Sequence, residues 1–372
     1  MSVSRRKLIA AAAAAALTLV LAAPVSAQEV ATDPRFRGEG TLKVMTYNMY
    51  VGTEYAGVTS SSLPVFLQAV TNLYQEAQAS DPAGRAQAIA RQIAATQPHL
   101  VSLQEVATWR RGPAKDNLTL ESDYLQLLLD ALTARGMRYS PVVSLTHWDV
   151  TLPSSTGLYM RHTLRVVIIA RSDLKPEDFS VANVQAAPWS ANATLSYPLP
   201  ALNGSADCPV ELQPSGACVM PFPRGWASVD VTYRTKQFRF IGAHLESRSA
   251  SRNIREGLEL LNGPANTALP VIVAADLNCD LCNAADTKYP TCLNLLNAGF
   301  SDAWSAANPT EPGYTKDLPL MTMRGDYVMV RGRFRVQAAI VVGDKPDDMT
   351  PSGRWPSNHC GVVARLQLPG AD

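Results

Sequence analysis

The sequence predicts a layered fold of the α/β or α+β class, in which sheets are covered by helices. Two observations carry that expectation. Short apolar runs rich in Val, Ile and Leu recur along the whole chain, as buried strands do. Between them lie stretches whose apolar residues recur at helical spacing. Elements of both kinds bury their apolar faces by packing helices on sheets. The 372 residues are 47% hydrophobic and 17% charged, which supplies apolar material for a sizeable core.

Taken in order, residues 1–27 are set aside from the fold. Arg5-Arg6-Lys7 precedes an apolar run from Leu8 to Ala23, and Val25-Ser26-Ala27 has the small-residue pattern that signal peptidase reads. An export signal is expected, and with it a secreted or periplasmic protein. Ser4-Arg5-Arg6-Lys7-Leu8 also resembles a twin-arginine signal. The run is short for a span of about 20 apolar residues, and no later stretch is longer, so an integral membrane protein is not expected. Residues 28–40 read as a polar linker and 41–369 as a single domain.

Leu42 to Tyr47 reads as a buried strand. Leu63 to Ala79 carries Leu63, Phe66, Leu67, Val70, Leu73 and Tyr74 at helical spacing. Asp81-Pro82 is an N-cap followed by a first-turn proline, and Pro98 ends the helix that begins there. Leu100 to Leu103 gives the next strand, residues 121–135 a third helix, and Val166 to Ala170 a central strand. Residues 227–233 and 238–243 read as a hairpin and 249–262 as a helix. Val271 to Ala275, Tyr327 to Val330, Phe334 to Val342 and Val362 to Leu368 complete the strands. The segment 185–224, rich in Pro, Ser and Asn, is expected to be an irregular insertion.

Charge and cysteines narrow the setting. The whole chain carries +1, and loss of Arg5, Arg6 and Lys7 with the leader would bring it to about −2. A strongly basic balance, which would favour a polyanionic partner, is therefore missing. Of six cysteines, Cys208 and Cys218 bracket one loop and are expected to pair. Cys279-x-x-Cys282 has no second pair or nearby His to complete a zinc site. Structural disulfides among Cys279, Cys282, Cys292 and Cys360 are expected, with their connectivity open.

Chemistry is written at the strand ends. Asn48, Glu105, His244, Asp276, Asn278, Asp326 and His359 all sit where an apolar run stops or starts. A single polar residue there is ordinary, because that is where the chain meets water. Several of these types together, with no Lys or Arg among them, point to convergence on one site. Hydrolysis of a phosphate ester needs a hard cation on oxygen ligands, which Glu105 and Asn48 can supply. It needs a base for water, a task for Asp276. It needs donors to the charge growing on phosphoryl oxygens, which Asn278, His244 and His359 can provide. Asp326 could hold His359 as a cation.

Six motifs stand in a familiar order: Thr46-Tyr47-Asn48, Leu103-Gln104-Glu105-Val106, Ala243-His244-Leu245, Asp276-Leu277-Asn278, Gly325-Asp326-Tyr327-Val328 and Ser357-Asn358-His359. In that order the chain resembles the endonuclease/exonuclease/phosphatase superfamily, and Trp355 to Val363 resembles its secreted bacterial members. The resemblance implies a four-layered sandwich, two mixed sheets face to face with helices outside. It implies a Mg²⁺-dependent phosphoric ester hydrolase, with Mn²⁺ or Ca²⁺ as alternatives. It gives Glu105, Asn48 and Asn358 to the metal. It gives Asp276, Asn278, His244 and the Asp326–His359 pair to catalysis. Where that family usually has Asp before the last histidine, this chain has Asn358, which keeps an oxygen ligand and drops a charge.

The expected substrate is a phosphate ester, most readily a phosphodiester in a nucleic acid or a phospholipid, or else a small phosphate ester. No stable protein partner is expected. A nuclease would want a basic groove, for which Arg110, Arg111, Lys115, Arg161 and Arg165 are candidates. A phospholipid substrate would want exposed apolar loops, for which Trp189, Val219 to Phe222 and Trp226 are candidates. The alternative from another class is a binding protein on the same fold with its chemistry lost, and Asn358 is the one feature in its favour.

Overall fold

The computed structural model describes residues 34–36, 40–190, 195–212 and 216–368. The expected export signal, 1–27, and most of the linker, 28–40, lie outside the described residues. The first apolar run forms β1 (Leu42–Asn48), followed by α1 (Leu63–Ala79) and α2 (Pro82–Thr96). The side chain of Asp81 accepts from Gly84 N at 3.0 Å, so the expected cap satisfies one of the helix's free N–H groups. β2 (Leu100–Ala114) runs far past the expected Leu103 and turns back on β3 (Asn117–Asp123). That pairing takes the first residues of the expected helix 121–135, and α3 (Tyr124–Thr133) starts only after its cap, Asp123.

β4 (Tyr139–Pro153), β5 (Tyr159–Arg171) and β6 (Phe179–Pro188) come next. Within the segment expected to be irregular, the described residues include β7 (Leu195–Pro198), β8 (Val210–Leu212) and β9 (Ala217–Phe222), a small sheet in the order β7-β9-β8. Its strands are short and carry proline, which hid them in the sequence. β10 (Gly225–Tyr233) and β11 (Lys236–His244) form the expected hairpin, with Val229 opposite Phe240. After the hairpin come α4 (Ala250–Asn262), β12 (Val271–Asp276), α5 (Tyr289–Asn297), β13 (Ser301–Asp302) and α6 (Ala303–Ala307). The described chain ends with β14 (Asp326–Arg331), β15 (Arg335–Val342) and β16 (Gly361–Gln367).

Two mixed sheets result. The first has the order β15-β16-β1-β2-β5-β4, with β3 on β2, and the second the order β13-β14-β12-β11-β10-β6. Strand periodicity sorts their side chains into three apolar layers. Val44, Leu100, Val166, Ile168, Phe240, Ile272, Ala274 and Val328 meet between the sheets. Met45, Tyr47, Val101, Leu103 and Val167 face outward under α1, α2 and α3. Val273, Ala275, Tyr327 and Met329 face outward on the other side, under α4 and α5. Helices, sheet, sheet and helices make the four layers, an α/β arrangement. Gly242 lets the sheets close on each other, since a Cβ there would lie 2.5 Å from Ser102 Oγ.

Cys208 pairs with Cys218, as expected, and Cys279 pairs with Cys292. Cys282 and Cys360 are free thiols, contrary to expectation. They are held apart by other contacts: Cys282 Sγ donates to Pro312 O, whereas Cys360 is buried with its Sγ 3.7 Å from Met321 Sδ. Among the described residues no helix is long and apolar enough to cross a membrane.

Candidate active site

The strand period that builds the core also aims the site. On β1, Asn48 follows Val44 on the inter-sheet face; on β11, His244 follows Phe240; on β12, Asp276 follows Ile272 and Ala274. On β14, Asp326 precedes Val328 on that same face. All four therefore project between the sheets at one end, where the apolar layer gives way to polar groups.

Glu105 reaches the site by another route. Leu103 pairs with Val167 and Val106 with Arg165, so Gln104 and Glu105 share one place opposite Val166. This bulge, with Glu105 at φ 52°, breaks the alternation and turns the carboxylate toward the strand ends. Asn278 also has a left-handed backbone, φ 54°, in the sharp turn after β12.

Asp276 stands at the crossing of these groups. Its Oδ2 accepts from Asn48 Nδ2 at 3.1 Å and lies 3.3 Å from His244 Nε2 and 3.8 Å from His359 Nδ1. Its Oδ1 accepts from Asn278 N at 3.1 Å. Burial alone would push this carboxyl up, but Lys316 and then His359 and His244 hold it well below the usual carboxylate range. Asp276 is thus a buried anion with donors on every side.

His359 Nδ1 lies 2.9 Å from Asp326 Oδ2, which also accepts from Thr315 Oγ1 at 2.8 Å. Burial works against a charged ring, yet Asp326, and with it Asp276, raises the His359 pKa above its ordinary value. Asp326 is itself raised, by burial and by the like charge of Asp276, against the pull of His359. With Nδ1 committed to Asp326, Nε2 is the nitrogen left to meet a ligand. Ser357 Oγ fixes the approach of this loop by donating to Asn48 O at 2.7 Å and accepting from His359 N at 3.0 Å.

His244 has a different state. Burial and the neighbouring Arg224 lower its pKa, against Asp276, so its ring is neutral at ordinary pH. Arg224 Nη1 lies 2.6 and 2.5 Å from the two ring nitrogens. A neutral ring with its proton on Nε2 can donate to Asp276 and accept from Arg224 at Nδ1, with Nη1 crowding Nε2 as well. Burial pushes Glu105 up too, but His244, Arg224 and His359 bring it below the carboxylate range. Because His244 is neutral, Arg224 is the lasting charge beside Glu105, at 3.9 Å.

Glu105, His244, Asp276, Asn278, Asn358 and His359 line one cavity of about 260 Å³. Asn48 and Asp326 are fully buried behind it and act through Asp276 and His359. Asn358 is exposed at the rim. The structure adds three cations without a strand-end signal in the sequence, Arg224, Arg248 and Lys316. Arg224 enters from the short link between β9 and β10, stacked 5.1 Å over the Phe222 ring. Lys316 comes from the loop before β14 and donates to Asn278 Oδ1 at 2.5 Å. A bridge with His359 marks that loop as part of the site, but no periodicity announces it.

Two donor sets could take a divalent cation. Oxygens of Asp276 and Asp326 and a nitrogen of His359 lie within 4.8 Å of one another, although Asp326 and His359 already neutralise each other. Glu105 fits a hard ion better. Its Oε2 accepts from Val51 N at 2.9 Å, its Oε1 lies 3.9 Å from Arg224, and the residue lines the cavity. Asn48 is less free: its Oδ1 accepts from Tyr50 N at 2.9 Å.

Most of the residues named as candidates for a basic groove or an apolar surface are engaged within the fold. Arg111 pairs with Glu121, Lys115 with Asp207, Arg161 with Asp149 and Arg165 with Asp123, so these cations are spent within the fold. Trp189, Met220 and Phe222 are buried rather than presented to a lipid surface, and Trp189 Nε1 donates to His244 O.

Residues 45–359 match the model of the Endonuclease/Exonuclease/phosphatase family. No curated protein matches the chain by sequence. Solved structures share its fold at low identity. The mannosyl-6-phosphatase of Bacteroides thetaiotaomicron VPI-5482 is 14% identical with a TM-score of 0.52, over 88% of this chain and 100% of its own. A family protein from Leptotrichia buccalis C-1013-b is 15% identical with a TM-score of 0.51, over 88% and 100%. One from Beutenbergia cavernae DSM 12333 is 19% identical with a TM-score of 0.52, over 89% of this chain and 72% of its own. With the four layers, the convergent strand ends and the match over most of its length, the chain belongs to the Endonuclease/Exonuclease/phosphatase family of phosphoric ester hydrolases.

Proposed function

We propose that the protein hydrolyses a phosphate ester with the help of a divalent cation, Mg²⁺ first among them. The observation that carries this reading is Asp276, a buried carboxylate held anionic at the wall of the cavity. In its ionised form it can orient a water and take its proton as the new P–O bond forms and the ester bond breaks. Asn48 and His244 hold the carboxylate in place, and Asn278, through its backbone N–H, fixes the other oxygen. His359, whose charged form Asp326 favours, faces the negative charge that grows on the phosphoryl oxygens, with the cations Lys316 and Arg224 beside it. Glu105, with Asn358 at the rim, would hold the metal, and Asn48, its Oδ1 taken by Tyr50 N, would act through Asp276 instead. When bound, the metal would supply further positive charge against those oxygens.

A phosphodiester, in nucleic acid or phospholipid, and a phosphomonoester present the same phosphoryl centre to this machinery. The binding-only alternative is disfavoured by the intact cluster of Asp276, Asn278, Asp326 and His359. Residues 1–27 and the disulfides support a secreted or periplasmic setting. The test is cleavage of aryl phosphate mono- and diesters with Mg²⁺. Activity should vanish with EDTA and fall about 10³-fold or more in Asp276→Ala. Failure to cleave either ester with metal present would overturn the proposal.

A further inference from the structure

A second hollow opens beside the catalytic cavity. It measures about 570 Å³ and shares Tyr50, Glu54 and Asn358 with the first, so the two lie side by side. Its walls are apolar and aromatic at Trp355 and Leu318, and acidic at Glu54 and Glu76. One oxygen of Glu76 accepts from Thr53 Oγ1 at 2.6 Å. No hydrogen bond ties up the carboxylate of Glu54 among the described residues. Arg85 closes the floor but is not available to a ligand: it is buried, with its N–H groups donating to the carbonyls of Met49, Tyr50, Ser80 and Pro356. Arg354 is the remaining cation and stands exposed at the lip.

The two spaces offer different charges. The inner cavity sets Arg224, Arg248 and Lys316 among carboxylates that include Glu105 and Asp276, whereas in the outer groove Glu54 and Glu76 face a ligand with Arg354 at the lip. A phosphoryl group belongs inside. The rest of the substrate, extending along the groove, meets two carboxylates and an aromatic face, which repel a further phosphate and accept from hydroxyl donors. A polynucleotide would bring its next phosphate against Glu54 and Glu76. An acyl chain would find acids among the apolar walls, with no continuous greasy surface.

We propose, resting on the hydrolase reading above, that this groove is the leaving-group subsite and selects a small phosphate ester of an uncharged, hydroxylated alcohol, a sugar or polyol. Its hydroxyls donate to Glu54 and Glu76, and its C–H face packs on Trp355. These contacts favour an ester that carries the hydroxyls over one that leaves the groove empty.

The experiment compares hexose 6-phosphate, methyl phosphate, which leaves the groove empty, and a single-stranded oligonucleotide, all with Mg²⁺. We expect kcat/KM for the hexose phosphate to exceed that for methyl phosphate by about tenfold or more, with the oligonucleotide lowest. Trp355→Ala and Glu54→Gln should each shrink the hexose-to-methyl ratio several-fold, on the order of the loss of one or two polar contacts. The ratio is insensitive to partial misfolding, which lowers both rates together. Equal rates on the two monoesters, a ratio unmoved by both variants, or preference for the oligonucleotide would overturn the proposal. Calorimetry separates it from the parent reading: loss of all cleavage overturns the hydrolase, whereas equal affinity for hexose phosphate and inorganic phosphate overturns the subsite alone.

Discussion

At the scale of single residues, the site was legible wherever a side chain follows strand alternation and hidden wherever it does not. Asn48, His244, Asp276 and Asp326 could be placed because each continues an apolar stripe into polar territory. Glu105 could be named but not aimed, since its direction depends on a bulge that only the pairing of β2 with β5 creates. Arg224 and Lys316 were invisible, because a cation in a loop looks like any solvated one. Lys316 is the largest influence opposing burial at Asp276. Replacing it, Lys316→Met, should lower kcat/KM about 10- to 100-fold. The Asp276 anion is present above its folded pKa and lost as pH falls through it. Removing the cation raises that pKa, so the acid limb of the pH–rate profile should move to higher pH. An unshifted limb would disconnect the two groups. Asn358 makes a second case: Asn358→Asp restores a carboxylate at the rim, and activity at limiting Mg²⁺ should rise. An unchanged Mg²⁺ activation curve would remove this residue from the metal's surroundings.

At the scale of elements, α1, α2 and the β10–β11 hairpin follow their sequence signals closely, because caps, prolines and periodicity agree there. β4 went unread because polar and apolar residues mix along it, with one stretch exposed and another buried. The β7-β9-β8 sheet went unread because its strands are short and its order is tertiary. That sheet matters for chemistry. Phe222 closes β9, Arg224 follows it, and Cys218 of the same strand is tied to Cys208. In the double variant Cys208→Ser/Cys218→Ser, stability should fall by about 2–4 kcal/mol. KM should also rise, because Arg224 loses its anchored neighbour. Thermal unfolding and steady-state kinetics check the two effects, and an unchanged KM would show that Arg224 is placed without the disulfide.

At the scale of the whole molecule, the fold carries three buried neutral histidines outside the catalytic cluster. Burial depresses His99 to about 4 and His147 and His162 to about 3, from an ordinary value of 6.5. His162 is stacked on Trp109, with ring centroids 3.9 Å apart, and His147 Nδ1 lies 2.8 Å from Pro223 O. Each binds a proton on unfolding once the pH drops below about 6.5. Stability from these groups is complete above that value and lost as pH falls toward 3–4. At one unit below 6.5 each costs about 1.4 kcal/mol. The melting temperature should therefore decline steeply between pH 7 and 5, and His162→Gln should flatten that decline by roughly a third. Parallel profiles for the two proteins would show that His162 is not among the groups responsible.

The pairing of β1 with both β2 and β16 has a consequence in time. Asn48 lies near one end of the described chain and His359 near the other, and Arg85 ties Met49 and Tyr50 to Pro356 across that distance. No stretch of chain that stops short of residue 359 contains every residue of the proposed site. A polypeptide still emerging from the ribosome has nothing with which to attack a phosphate ester, however much of its sandwich has formed. On the proposed roles, competence waits for β16 to pair with β1 and bring His359 into place. A protein divided within the insertion would yield two inert fragments, and returning activity would report their reunion.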